Sequence, residues 1–82
     1  MRIDKFLNSV NLTKRRAIAA DMLAQKVVAI NGVACKPAKD VKVGDVITMT
    51  FLDYERKYEV LDIPKTKTIP KTAQADYIKE LT

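Results

Sequence analysis

The dipeptide Asn31-Gly32 stands between two β-rich runs, Lys26-Val27-Val28-Ala29-Ile30 and Val33-Ala34-Cys35-Lys36. Both central positions of a type I′ turn need positive φ, which asparagine and glycine tolerate, so the pair predicts a two-residue antiparallel hairpin. A hairpin this tight allows one register, and the register decides which side chains share a face. Upstream the period is different. Ile3, Phe6, Leu7 and Val10 fall at i, i+3, i+4 and i+7, the apolar stripe of an amphipathic helix. Asp4 is placed to cap that helix, while Arg2, Lys5 and Asn8-Ser9 fall on its other faces. A helical period that gives way to a hairpin makes an α+β chain.

After a short Asn11-Leu12 connection, Thr13 reads as the N-cap of a second helix that carries Ala17, Ile18, Ala20, Met22 and Leu23 and ends near Gln25. So short a connection makes the two helices a tight pair. Lys14, Arg15 and Arg16 then place three cations in the first turn, where the helix dipole is already positive. Each such charge forgoes or opposes a few tenths up to about 1 kcal/mol. An anion at that end reverses the sign, because free backbone N–H groups and cations both attract it. The two arginines are suited to bidentate phosphate contacts and Lys14 to a mobile point charge. Lys14, Arg15 and Arg16 are therefore candidate phosphate contacts, with Arg2 and Lys5 of the first helix beside them. Lys36 and Lys39, on the flank of the hairpin, are further candidates for the backbone of an anionic partner.

Beyond the hairpin, Pro37 stops the return strand, residues 39–42 form a loop, and Val43-Gly44-Asp45 turns into a strand over Val46 to Leu52. Ile47, Met49 and Phe51 alternate there with Val46, Thr48 and Thr50, so one face belongs to the core. Asp53-Tyr54-Glu55 is a further turn, and Lys57 to Ile63 alternates again before Pro64. The expected architecture is two N-terminal helices packed on a small twisted antiparallel sheet. Residues 1–63 make that domain and residues 64–82 a partly irregular C-terminal extension. Lys65 to Thr72 reads as extended or mobile, and Ala75 to Leu81 as a short helix with Tyr77, Ile78 and Leu81 on one face.

Charge separates the two halves of the 82-residue chain. Residues 1–45 hold nine Lys and Arg against four acids, residues 46–82 hold six of each, and the whole excess of the net charge of +5 lies in the first half. That asymmetry points to an anionic partner. The chain has no histidine and one cysteine, Cys35. An intrachain disulfide, a Cys/His zinc site and catalysis by a Ser-His or Cys-His pair are therefore excluded. Cys35 reads as a small, inert packing residue. Nothing in the spacing of the acids recommends carboxylate catalysis, and the expectation is a non-enzymatic protein without metal or cofactor. The longest apolar runs, Ala17 to Ala20 and Val27 to Ile30, fall far short of a spanning helix or a signal-peptide core, which implies a cytoplasmic protein with no membrane partner.

Arg2-Ile3-Asp4-Lys5-Phe6-Leu7, Lys14-Arg15-Arg16-Ala17, Val28-Ala29-Ile30-Asn31-Gly32, Pro37-Ala38 and Val43-Gly44-Asp45-Val46-Ile47 follow one another in an order and spacing similar to those of a known family. Over roughly residues 1–52 the chain resembles the RNA-binding domain named after ribosomal protein S4. The resemblance implies the αL motif, two helices on a small sheet, which binds structured RNA through the helix pair and adjoining basic residues. The opening residues and the small size look most like the stand-alone bacterial members, the fifteen-kilodalton heat-shock protein and RqcP ribosome quality-control family. That likeness implies binding to rRNA of the large ribosomal subunit, together with peptidyl-tRNA, after translation has stalled; the expected state off the ribosome is a monomer. Arg2 and Arg16 are then the leading contacts, supported by Lys14, Arg15 and Lys5. Assembly of the ribosome or general binding of structured RNA is the alternative function. A DNA-reading helix-turn-helix ranks lower, because the second helix offers few base-reading side chains after Arg16. One position departs from the family pattern: Lys26 stands where glycine usually follows the second helix. Either the helix ends differently there, or Lys26 adopts a strained cap.

Overall fold

In the computed structural model, residues 1–65 and 67–81 are described. The elements run α1 (Ile3–Ser9), α2 (Arg16–Ala24), β1 (Val28–Ile30), β2 (Val33–Ala34), β3 (Val46–Thr50), β4 (Glu55–Val60), a 3₁₀ helix (Lys71–Asp76) and β5 (Ile78–Glu80). All strand pairs are antiparallel, in the order β2-β1-β3-β4-β5. The expected α+β architecture is present.

The hairpin forms as its dipeptide dictates. Ile30 pairs with Val33, and Asn31 and Gly32 take φ of 53° and 83°. The register of β1 on β3 sets Val28 opposite Met49 and Ile30 opposite Ile47, so all four side chains point to one face and are buried. The helices cover that face with Ile3, Phe6 and Leu7 of α1, its C-cap Val10, and Ala19 and Leu23 of α2. Every member of the α1 stripe is fully buried, as its spacing requires. Met1 to Asp4 are tied to the loop before β3: Ile3 N–H donates to the Lys39 carbonyl at 2.8 Å and Val41 N–H to the Met1 carbonyl at 2.8 Å.

The starts of both helices differ from the local reading. Arg2, not Asp4, is the N-cap of α1, and Asp4 lies within its first turn. The second helix begins at Arg16 with Arg15 as N-cap, so Thr13 caps nothing and only one of the three cations is helical. The chain needs Thr13 elsewhere. Its N–H and that of Leu12 both reach back to the Leu7 carbonyl, at 3.1 and 2.9 Å, and close the end of α1. Asn11 sits at the left-handed position of that closure with φ of 63°. The pattern of Asn11 N–H to Asn8 and Leu12 N–H to Leu7 is a Schellman motif.

The end of α2 repeats the motif. Lys26 N–H donates to Leu23 and Val27 N–H to Met22, with Lys26 at φ of 61°. Of the two alternatives for Lys26, the strained left-handed cap is therefore the one adopted.

The extension contributes to the same body. Ile69 and Ile78 are buried members of the core. Residues 75–81 do not form the expected helix. Three of them instead make β5, which pairs Ile78 with Val60, and the flanking Leu81 N–H donates to the Lys57 carbonyl at 2.8 Å. The reason lies in β4, whose outer edge would otherwise present unpaired backbone groups. Apolar residues at 77, 78 and 81 suit a strand edge as well as a helix face, and the open edge decides.

Candidate nucleic-acid interface

The most buried charged residue among the described ones is Asp4, only 4% exposed. Its Oδ1 accepts from the Lys5 backbone N–H at 2.8 Å. Its Oδ2 accepts from Arg2 Nη2 and from Arg16 Nε, each at 3.3 Å. One buried carboxylate thus gathers a guanidinium from the chain start and another from the first residue of α2. Both guanidiniums remain about half exposed. Burial of the acid with exposure of the bases leaves the cations free to meet an outside anion while their roots are held. An Arg16 charge at the start of α2 opposes that helix dipole, and Asp4 offsets it.

Lys5, Asn8, Arg16, Lys67 and Thr68 line an open cleft of about 380 Å³ beside this cluster. A second open cleft of similar size, lined by Asn11, Leu12, Thr13, Lys14 and Lys71, lies on the α1–α2 turn. Arg15 is exposed at the N-cap of α2. The seven basic candidates are therefore divided. Arg2, Lys5 and Arg16 converge around Asp4 or its neighbouring cleft, and Lys14 flanks the second. Lys36 and Lys39 line a different, more apolar cleft against Ile30, Val33 and Cys35 of the hairpin.

Two features escaped the linear reading. Asp4 looked like a helix cap, and its role depends on Arg16 folding back from twelve residues away. Lys67 and Lys71 sit in a half of the chain whose net charge is zero. The signal present there is local: residues 64–75 contain Lys65, Lys67 and Lys71 and no acid.

Other chemistry is sparse. Tyr54 stacks on Phe51 with ring centroids 4.8 Å apart, and the Arg56 guanidinium lies 5.3 Å from the centre of the Tyr54 ring. Its partners are thus within the β3–β4 hairpin. Tyr58 is half-buried, and burial raises its phenol above the usual range. Burial likewise raises the Cys35 thiol, which packs near the Val28 carbonyl. Among the described residues no group of three or more His, Cys, Asp or Glu is placed to hold a metal ion, and no helix is long and apolar enough to cross a membrane. After Arg16, the exposed positions of α2 are Ala17, Ile18, Asp21 and Ala24, a poor set for reading bases in a groove.

The S4 domain family matches residues 1–47. A curated relative from Helicobacter pylori strain J99, the RQC P-site tRNA stabilizing factor, is 47% identical over 78 residues, covering 95% of this chain and 93% of its own. The Bacillus subtilis protein of the same name is 45% identical over 51 residues, which is 62% of this chain and 59% of that protein. Among solved structures, the protein HP1423 in solution matches 100% of this chain and 98% of its own, with a TM-score of 0.86 and 44% identity. The trimeric heat shock protein 15 of Vibrio cholerae matches 98% of this chain and 80% of its own, with a TM-score of 0.88 and 26% identity.

Proposed function

The chain belongs to the S4 domain family, and from that premise we propose that it is a non-enzymatic RNA-binding protein of ribosome quality control. In this reading it is cytoplasmic, works as a monomer, and binds rRNA of the large ribosomal subunit together with a peptidyl-tRNA stranded there. The name of its relatives, a factor that stabilises P-site tRNA, supports the tRNA half of the proposal. The proposed RNA-binding unit is residues 1–63, with residues 64–82 as an extension of it.

One observation carries the proposal: Asp4, buried between Arg2 and Arg16, orders two half-exposed guanidiniums on one surface. The two arginines neutralise the buried Asp4 carboxylate, and because each is half exposed the same side chains still turn donors to solvent, where an outside anion can meet them. Ordering matters for binding, because each long side chain fixed in advance saves about 0.5–1.5 kcal/mol on association. Guanidiniums so held suit RNA phosphates, whose non-bridging oxygens accept two N–H groups from one planar fork. The mechanism is recognition of backbone and shape, since few base-reading groups accompany the cations. Lys5, Lys14 and Arg15 support the pair, and Lys36 and Lys39 touch backbone on the hairpin side.

Cosedimentation with isolated large subunits, empty or bearing peptidyl-tRNA, tests this across a salt series. Wild type should prefer the tRNA-bearing subunits, and Arg2→Ala/Arg16→Ala should bind more weakly with a shallower salt dependence. Equal binding to both kinds of subunit would favour an assembly role or general rRNA binding. Full binding by the double variant would refute the site.

A further inference from the structure

Residues 67–74 are docked along the end of α1 rather than hanging from the fold. Ser9 Oγ donates to the Lys67 carbonyl at 2.6 Å, and Ile69 N–H donates to the Ser9 carbonyl at 3.0 Å. Asn11 Nδ2 donates to the Ile69 carbonyl at 2.8 Å, and Gln74 Nε2 to the Val10 carbonyl at 2.7 Å. Ile69 itself is 5% exposed. This is a strap, pinned at four points to residues 9–11 and anchored by one buried side chain. Its pinning places two lysines. Lys67 enters the cleft with Lys5, Asn8 and Arg16, and Lys71 enters the cleft with Asn11, Thr13 and Lys14.

We propose that the strap is the second half of the RNA interface, with Lys67 and Lys71 each completing a phosphate subsite begun by the helix pair. The inference rests on the RNA-binding reading above and adds residues that the family match over residues 1–47 does not reach. Charge is the first argument. Each cleft joins a strap lysine to a cation of the helix pair, and neither cleft is lined by a carboxylate. Like charges brought together in a folded state cost free energy unless an anion is shared between them. The second argument is Thr13. Its hydroxyl is buried and has no hydrogen-bond partner among the described residues, an uncommon state for a buried polar group. Thr13 lines the cleft with Lys14 and Lys71, so a small side-chain rotation would bring that hydroxyl to donate to a phosphate oxygen while both ammoniums neutralise it. Backbone fixation of the strap, rather than free lysines on a tail, makes these positions part of a preorganised surface.

The test is the salt dependence of binding to large subunits bearing peptidyl-tRNA, for Lys67→Ala/Lys71→Ala beside Arg2→Ala/Arg16→Ala and the charge-matched control Lys42→Ala/Lys79→Ala. Losing two phosphate contacts should lower the slope of log K against log salt by about 1.4–1.8. Between 50 and 200 mM salt, wild type should then lose roughly tenfold more affinity than the lysine variant. The control pair, which lines neither cleft, should keep the wild-type slope. Thr13→Val, of nearly the same shape, should weaken binding without lowering the unfolding midpoint. A wild-type slope for Lys67→Ala/Lys71→Ala, with the arginine variant impaired, would overturn this inference and leave the proposed function standing. An equal loss in the control pair would also overturn it, by reducing the effect to net charge. Failure of wild type to bind the subunits at all would overturn both.

Discussion

Lys26 offers the cleanest quantitative test of the backbone argument. Its φ of 61° lies in the left-handed region, where an L residue brings Cβ too close to the following carbonyl at a cost of about 1–2 kcal/mol. Glycine avoids that cost but gives back about 0.4–1 kcal/mol through its greater freedom in the unfolded chain. The difference favours glycine by about 1 kcal/mol. Lys26 is also a cation just past the C-terminus of α2, where a positive charge is favourable, and Lys26→Gly removes it. Lys26→Ala removes the same charge and keeps the Cβ, so the pair of variants isolates the backbone term. For a domain of this size about 1 kcal/mol corresponds to roughly 4–8 °C in midpoint. Thermal unfolding followed by far-ultraviolet circular dichroism should place Lys26→Gly above Lys26→Ala by that margin. Both should keep the wild-type spectrum, because the Schellman bonds of Lys26 and Val27 are made by backbone groups. Equal midpoints for the two variants would refute the reasoning.

Two further outcomes follow from burial. Ile69→Ala should lower the unfolding free energy by about 2–3 kcal/mol, towards the lower end of the range for buried isoleucine because the site lies under a surface strap; chemical denaturation measures it, and a change below about 0.5 kcal/mol would mean the strap is not anchored. Burial disfavours the Cys35 thiolate and raises its pKa, so less of the reactive form exists at neutral pH. Iodoacetamide should therefore alkylate native Cys35 more slowly than the same residue in the urea-unfolded chain, with the gap closing as pH rises past the thiol's raised pKa; equal rates at pH 7.5 would contradict this.

What could be read along the chain was whatever depends on short-range periodicity. Ile3, Phe6, Leu7 and Val10 are a helix stripe at any position in a fold, and all four are buried. Asn31-Gly32 demands its turn locally, and the alternation of Ile47 and Met49 with Thr48 survives because β3 is central and covered on one face. The excess of positive charge in residues 1–45 also pointed to an anionic partner before any contact was visible.

Where a local preference met a competing long-range demand, the tertiary structure decided. Thr13 is a good cap by type, yet its N–H closes α1 and its side chain is buried, so α2 starts two residues later, with Arg15 as its cap. Ala75 to Leu81 has the composition of a helix face, but the open edge of β4 recruits Ile78–Glu80 as a strand because unpaired backbone groups cost more than the propensity gains. Asp4 gains its role only when Arg16 returns to it, and Lys67 and Lys71 join the basic surface only when Ser9, Val10 and Asn11 pin the strap. Hydrophobic period and turn chemistry are properties of neighbours in sequence, and the chain alone determined them. Ion pairing, edge pairing and the meeting of distant lysines are properties of neighbours in space, available only after the core around Phe6 and Ile47 has brought those residues together.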